Sequence, residues 1–559
     1  MFKFPLPSLG VFLCVLMCAA PSFAQGVNTT AAGGAVSQSE AESWREDLRH
    51  MAREMEARHK NLFHTTTRAQ FEGAVKKLHE RIPALARHQI IVELARVAAS
   101  VGDGHTNVAP TRDPKIGFRT LPVRLYLFSD GMFVRSAERG HAGLLGARVI
   151  RIGDATPDEA VDRAREIVGR DNEMGVRFFA PLLLAMPEVL HALGLSAGPD
   201  AARFTFEKDG RRQAVTLRPS GPFEPLPPDT DLSWLPKEGW VDMRDGAAAP
   251  LWLKDPKNKF WFERLPDSKA VYAQVNEVND KADETLADFS KRLLAFVEAN
   301  EVDKLVLDLR LNRGGNGGLL RPLVVGLVKS KVNRRGGLFV LMGRSTWSAA
   351  QFLLNRLEAY TDVLFVGEPS GSKGNHYGDS RRITLPNSGV TVRVSVYYWQ
   401  EWEPWDPRPW TAPHVTAELS SGDYRAGLDP ALRAALAYAP RKPLAQVLDE
   451  ALTEGGADLA LKRFREFKAD PVNKFAETEV PLLAAGQRLM NERRPEQALA
   501  LFKLAAEESP HSFRGYHELG HAYAVLGDRG RAVENLERAL ELSPKIYEVE
   551  ELLRQVRKR

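Results

Sequence analysis

Apolar and polar residues alternate along this chain in three different rhythms, and the rhythm changes with position. Trp44, Leu48, Met51 and Met55 fall at helical spacing, and Ser37 followed by Glu40 offers a capping box at the helix start. The pattern predicts a helix there, a second over about 68–80 and a third over about 87–101. Together they make an N-terminal helical domain over 37–110 that runs out in Gly102-Asp-Gly-His-Thr106.

From 115 to 220 the period shortens toward two, the signature of half-buried strands. Segments 122–127 and 132–135 read as strands about a Ser129-Asp-Gly131 turn. A further strand over 145–153 leads into a helix from about Pro157, and 204–208 with 213–217 form a hairpin around Asp209-Gly210. This α+β order resembles a PDZ-like module, which captures extended peptide ends at a sheet edge. A small spacer without a ligand fits the same pattern.

Six prolines within 219–236 mark a linker, placed at 221–248. Beyond it, strands and helices alternate. Strands are expected over 270–275, 304–310, 338–342 and 362–367, with helices over 286–300, 317–330 and 351–358. The run Lys304-Leu-Val-Leu-Asp-Leu-Arg310 is nearly all apolar, as a strand buried on both faces requires. Repeated β-α-β units argue for an α/β core over 249–440.

A helical connector over 441–475 precedes a repeat over 476–559. Gly486, Ala498, Phe502, Ala505 and Pro510 recur as Gly520, Ala532, Leu536, Ala539 and Pro544, each pair 34 residues apart. That is the tetratricopeptide period, and Tyr516, Leu519 and Tyr523 occupy further signature positions. Two such helical hairpins offer a docking surface for a protein partner, or they pack on the core and cap it.

Composition narrows the function classes. The net charge is +4 with both signs interspersed, which gives no basic face for nucleic acid. Lys3, the apolar run 10–20 and Ser22-Phe-Ala24 read as a signal peptide over 1–24, followed by a Gly/Ala/Thr-rich mature terminus over 25–36. The run is too short to span a bilayer, so no stable membrane span is expected after cleavage. Export to a bacterial periplasm or the exterior follows. Both cysteines, Cys14 and Cys18, lie in the signal segment, so the mature chain has neither a disulfide nor a thiol nucleophile. The histidines show no His-Glu-x-x-His or comparable pair, so neither a metal nor another cofactor is expected.

Ser348 is the candidate for chemistry. It stands where the strand 338–342, broken by Gly343, gives way to a helix, so free N–H groups and the positive end of the helix dipole lie beside it. That suits a nucleophile whose attack builds an oxyanion. A serine at a helix start is otherwise a cap.

Four segments give Ser348 a context: Asp103-Gly-His-Thr106, Asp308-Leu-Arg-Leu-Asn-Arg-Gly-Gly315, Thr346-Trp-Ser-Ala349 and Val366-Gly-Glu-Pro-Ser-Gly-Ser-Lys-Gly374. In this order they resemble peptidase family S41, the carboxyl-terminal processing and tricorn-like serine peptidases, over about 40–440. The resemblance implies an α/β core akin to the crotonase and Clp protease folds and a polypeptide substrate. It implies Ser348 as nucleophile, with an oxyanion hole from the Ala349 N–H and one N–H of Gly314 or Gly315. For the base it leaves two candidates. Lys373 falls on the lysine of the Ser/Lys branch, and His105 falls on the histidine of tricorn-like members. A lysine base needs burial to lower its pKa, whereas a histidine needs no large shift; His105 is favoured. Asp406, 58 residues beyond Ser348, sits at the spacing of the tricorn-type acid, with Glu401 and Glu403 as rivals.

His376, in the loop after Lys373, is a candidate substrate contact. Ser372 replaces the family's usual glycine, and Gln351 stands where many members have glutamate. These departures keep open a degenerate peptide-binding scaffold, and the same nucleophile would also serve an esterase. The aromatic, proline-bounded stretch from Tyr397 to Trp410 reads as a long loop stapled to the core.

Overall fold

A computed structural model describes residues 34–558, except 112, 226–228, 236, 245 and 405. The expected signal peptide over 1–24 and most of the expected mature terminus over 25–36 lie outside the described residues. The chain begins with three helices, Gln38–Arg58, Arg68–Arg81 and Arg87–Ala99. The first starts at the expected capping box of Ser37 and Glu40, and Trp44, Leu48, Met51 and Met55 are all buried on its inner face.

An antiparallel sheet follows, with strands Val123–Phe128, Gly131–Glu138, Arg148–Ile152, Ala202–Lys208 and Arg211–Leu217 in that spatial order. The last two meet at Asp209 (φ 51°) and Gly210 (φ 74°), the paired positive angles that a two-residue hairpin demands. Helices Pro157–Arg165, Glu173–Leu183 and Pro187–Ala192 fill the connection between the third and fourth strands. One continuous apolar cluster joins the helical bundle, this sheet and Ile383, Val392 and Val394 from much later in the chain. The segments separated in sequence as 37–110 and 115–220 therefore share a core.

The α/β core is a six-stranded sheet. Its spatial order is Phe260–Arg264, Ala270–Val275, Lys304–Asp308, Leu338–Met342, Leu364–Gly367, Val415–Thr416. The first pair is antiparallel and all others are parallel. Both faces are covered, as a parallel sheet requires. Val271, Ala273, Leu305, Leu307 and Val340 pack under helices Leu286–Ala299, Arg321–Lys329 and Ala349–Tyr360. Tyr272, Val306, Phe339 and Leu341 point the other way, toward Ala431 and Ala435 of helix Pro430–Leu436.

Two strands, Asn375–Thr384 and Thr391–Gln400, form a long hairpin, and Asn107–Val108 pairs with the second of them. Tyr397 to Trp399 thus lie on a strand and not in the loop expected from the prolines. The physical reason is strand pairing, Tyr397 with Gly378 and Tyr398 with Tyr377, which spacing alone does not reveal. Through this hairpin the segment that follows His105 is tied to the segment that follows Lys373.

The tail contains helices Glu479–Asn491, Pro495–Glu508, Phe513–Val525, Arg529–Leu542 and Tyr547–Lys558. The repeated glycines mark close helix contacts. A Cβ on Gly486 would lie 2.3 Å from Phe502, and one on Gly520 would lie 2.6 Å from Leu536, the matching residue one period later. Among the described residues no helix is long and apolar enough to cross a membrane.

Asp47 links bundle and hairpin. It is fully buried and accepts the backbone N–H of Asn387 (2.8 Å) and Ser388 (2.9 Å) at the hairpin turn. Asp47→Ala is expected to weaken this link by about 1–2 kcal/mol, so that amide exchange at Asn387 and Ser388 quickens roughly five- to thirtyfold. Unchanged exchange at these two amides would show that the carboxylate does not hold the turn.

Candidate active site

Ser348 leaves the strand Leu338–Met342 and opens the helix Ala349–Tyr360 with φ 56° and ψ −121°. A non-glycine residue adopts such angles at a cost of about 1–3 kcal/mol and keeps them only where its surroundings enforce them. Here they do. The Thr346 hydroxyl donates to the Leu309 carbonyl (2.9 Å) and accepts the Gly343 N–H (3.0 Å). The Trp347 N–H reaches the Asn312 carbonyl at 3.1 Å, and the Ser348 N–H reaches Ser372 Oγ at 3.2 Å. The Ser348 side chain makes no capping bond, so its hydroxyl is not engaged as helix-start serines usually are.

His105 meets Ser348 across 243 residues of sequence, with Nε2 at 3.3 Å from Oγ. Its ring lies between Trp347 (centroids 4.9 Å apart) and His376, which stacks nearly parallel at 5.7 Å. The loop that carries it is shaped by Asp103, a buried carboxylate that sequence reading passed over. Asp103 Oδ1 accepts the N–H of His105 (2.8 Å), the N–H of Thr106 (2.7 Å) and the hydroxyl of Ser395 (2.7 Å). Oδ2 faces His59 Nε2 at 2.9 Å. Burial opposes the charged form, but the His59 bond, then Ser395 and Thr106, hold the Asp103 carboxyl down at about 2.

The glycine pair divides its labour. The Gly314 N–H donates to Asn312 Oδ1 at 2.9 Å and its carbonyl accepts the Val278 N–H at 2.8 Å. Among the described residues no hydrogen bond uses the N–H of Gly315 or of Ala349, which makes these two the available oxyanion donors. Gly314 has φ 118°, and a Cβ on it would sit 3.2 Å from Ser348 Oγ and 3.1 Å from the Ala349 nitrogen. A carbonyl group brought to Ser348 Oγ would occupy that space.

Lys373 and Asp406 are placed differently from His105. The Lys373 side chain is exposed, and among the described residues no hydrogen bond joins it to Ser348. The residue of that loop which touches the nucleophile is Ser372. Asp406 is engaged by Arg408, accepting its backbone N–H at 2.9 Å and its Nε–H at 2.7 Å. Glu401 is taken by Arg356 at 2.8 Å. None of these acids is brought to the His105 ring by a bond among those described. Spacing could not foresee these pairs, because Arg356 reaches Glu401 from the helix Ala349–Tyr360, 45 residues away in sequence, and Arg408 turns back onto Asp406 within its own loop.

His376 is buried. Its Nδ1–H donates to the Lys373 carbonyl at 3.1 Å, and Nε2 has no partner among the described residues. Together with Lys373, Tyr377, Tyr398 and Asp406 it lines a cavity of about 260 Å³ beside the His105 loop. Gln351, fully buried, donates to Asn355 Oδ1 (2.8 Å) and Thr411 Oγ1 (2.7 Å), which fixes the nucleophile helix to the loop beyond Arg408.

His59, His64 and Asp103 bring three metal-type ligand atoms within 4.8 Å of one another. The donor set does not suit a cation. His59 Nδ1 accepts the Asn61 N–H at 3.0 Å, which leaves its proton on Nε2, pointed at Asp103.

No family model matches the chain, and no curated protein matches it. Solved structures do. Mature CPAF complexed with lactacystin is similar at 12% identity and TM-score 0.48, over 69% of this chain and 96% of that one. The photosystem II D1 C-terminal processing protease is similar at 15% identity and TM-score 0.32, over 71% and 97%. The first TPR domain of human RPAP3 is similar at 22% identity and TM-score 0.17, over 21% of this chain and 87% of that one. Likeness at this level carries neither chemistry nor substrate, which rest on the geometry of the site.

Gly314→Ala is expected to lower acylation of Ser348 about a hundredfold or more while the protein stays folded; a variant acylated at the wild-type rate would move the carbonyl site elsewhere. The depressed Asp103 pKa adds stability that is complete above its unfolded value near 3.8 and is lost as pH falls toward about 2. The expected contribution is about 2 kcal/mol. Acid unfolding of Asp103→Asn should therefore lack this part of the wild-type slope.

Proposed function

We propose that this protein is an exported serine peptidase that cleaves extended or unfolded polypeptides through an acyl-enzyme on Ser348. One observation carries the reading. A strained, uncapped serine at a strand-to-helix turn has a histidine nitrogen 3.3 Å from its hydroxyl. The two unused N–H groups of Gly315 and Ala349 beside it support the same chemistry.

In this mechanism Ser348 Oγ attacks the scissile carbonyl carbon and its proton passes to His105 Nε2. The N–H groups of Gly315 and Ala349 receive the negative charge that develops on the carbonyl oxygen. The tetrahedral intermediate collapses, the C–N bond breaks, and the proton on His105 goes to the leaving amine. Water then enters, gives a proton to His105 Nε2 and attacks the acyl carbon; the ester C–Oγ bond breaks, the His105 proton passes to Ser348 Oγ, and the new carboxyl end is released. Trp347 and His376 restrict the imidazole plane through these transfers. Lys373, exposed to solvent, takes no part in them. The reading of export rests on the signal-like segment 1–24, and that of partner docking rests on the repeats.

A fluorophosphonate probe is expected to label the wild type and to fail on Ser348→Ala. His105→Ala should lower the labelling rate by about a thousandfold, within the range of a lost general base. Lys373→Ala should stay within about threefold of wild type, since an exposed side chain contributes little to a proton transfer it does not touch. Normal labelling of His105→Ala with loss in Lys373→Ala would reverse the base assignment. A folded wild type that ignores the probe and cleaves no peptide would refute the peptidase.

A further inference from the structure

The base and the nucleophile come from opposite ends of the catalytic region, and a single buried carboxylate from a third element spans them. Asp171 lies in the segment Gly169-Arg-Asp-Asn172, just before the helix Glu173–Leu183 of the sheet-and-helix module. Its Oδ1 accepts the N–H of Gly104 at 2.9 Å, and its Oδ2 accepts the indole N–H of Trp347 at 3.1 Å. Gly104 immediately precedes His105, and Trp347 immediately precedes Ser348.

The contact is close on every side. A Cβ on Gly104 would lie 2.4 Å from the Trp347 ring and 3.3 Å from Asp171 Cγ. A Cβ on Gly169 would lie 2.5 Å from the Thr106 carbonyl. Asn172 extends the clamp, donating to the carbonyls of Ser370 (3.1 Å) and Pro409 (2.8 Å). Both donors to Asp171 are uncharged, and no cation pairs with it among the described residues. The Asp171 charge acts on the His64 ring at the adjacent cavity, and the loop it grips through Gly104 carries His105.

We infer that Asp171 is a positioning residue of the proposed Ser348–His105 dyad: it fixes the separation of the two loops and supplies the negative charge that keeps His105 basic. It touches neither substrate nor reacting atoms. Its effect passes through Gly104 and Trp347, where a displacement well below 1 Å changes proton-transfer geometry. The inference builds on the dyad reading above and adds the group that orders it. The acid expected at Asp406 is occupied by Arg408, and Asp171 supplies a negative charge from a different part of the chain.

Other charged or titratable groups near His105 are Asp103 on its own loop, His376 on its ring face, Arg313 beneath Trp347, and His64 and Lys373 at the adjacent cavity. Asp171→Asn leaves all of them in place and removes one charge at nearly constant shape.

The test follows the His105 imidazole directly by NMR titration of histidine-labelled protein in a Ser348→Ala background, with His105→Gln used for assignment. Asp171→Asn is expected to lower the His105 pKa by about one unit, because removing a nearby negative charge disfavours the imidazolium. With Ser348 intact, fluorophosphonate acylation should fall about tenfold or more, and its acid limb should move to lower pH by the same unit. A residue that merely stabilised the fold would leave that limb in place. A His105 titration that overlays the wild type overturns the assignment. If Asp171→Asn does not fold, Trp347→Phe removes one of the two donors and keeps ring and carboxylate. It should slow acylation several-fold without lowering the His105 pKa, and acylation at the wild-type rate overturns the inference. Because the titration needs no turnover, a wild type that resists the probe would refute the peptidase reading while the titration still decides the role of Asp171.

Discussion

The backbone angle at Ser348 is the constraint around which the catalytic region is built. A parallel strand can hand over to a helix within a few residues only by a sharp reversal, and here a serine, not a glycine, takes the positive φ. At these angles the Ser348 side chain makes no capping bond to its own helix. Holding it requires the Leu309–Asn312 loop on one side and the Ser370–Ser372 loop on the other, each contributing hydrogen bonds to residues 346–348. The glycines at 314 and 315 follow from the same crowding, since a side chain at either would collide with Ser348 or Val278.

A second layer of order comes from buried carboxylates that accept several donors. Asp47, Asp103 and Asp171 each join segments distant in sequence, and each accepts two or more hydrogen bonds. A buried charge in this position is stable because backbone and indole N–H groups replace the lost hydration. Such residues convert three loosely related elements, the helical bundle, the antiparallel sheet and the α/β core, into one support for the Ser348–His105 pair. The shared apolar cluster from Ala41 to Val394 does the same through packing.

Much of the molecule was legible before any coordinates. Helix starts were read from local chemistry, as at Ser37-x-x-Glu40, and buried strands from continuous apolar runs such as Lys304-Leu-Val-Leu-Asp308. The tail announced itself by its 34-residue period, and the glycines of that period meet the large residue of the paired helix. Other features resisted. The strand character of Tyr397–Trp399 was hidden by neighbouring prolines, and the partners of Asp406 and Glu401 were hidden because arginines close by in the fold outcompete a distant histidine.

Sequence by itself determined the local alphabet: which stretches are helical, which are buried strands, where the serine turn falls and which four motifs accompany it. These depend on residue propensity and on spacing over a few positions, so they are written into consecutive residues. Tertiary structure decided which nitrogen faces Ser348 Oγ, which glycine N–H is left unbonded, and which carboxylates shape the His105 loop. Those choices are made between segments separated by up to 243 residues. They turn on fractions of an ångström of packing, on burial and on competition for hydrogen-bond partners, none of which has a period in the chain.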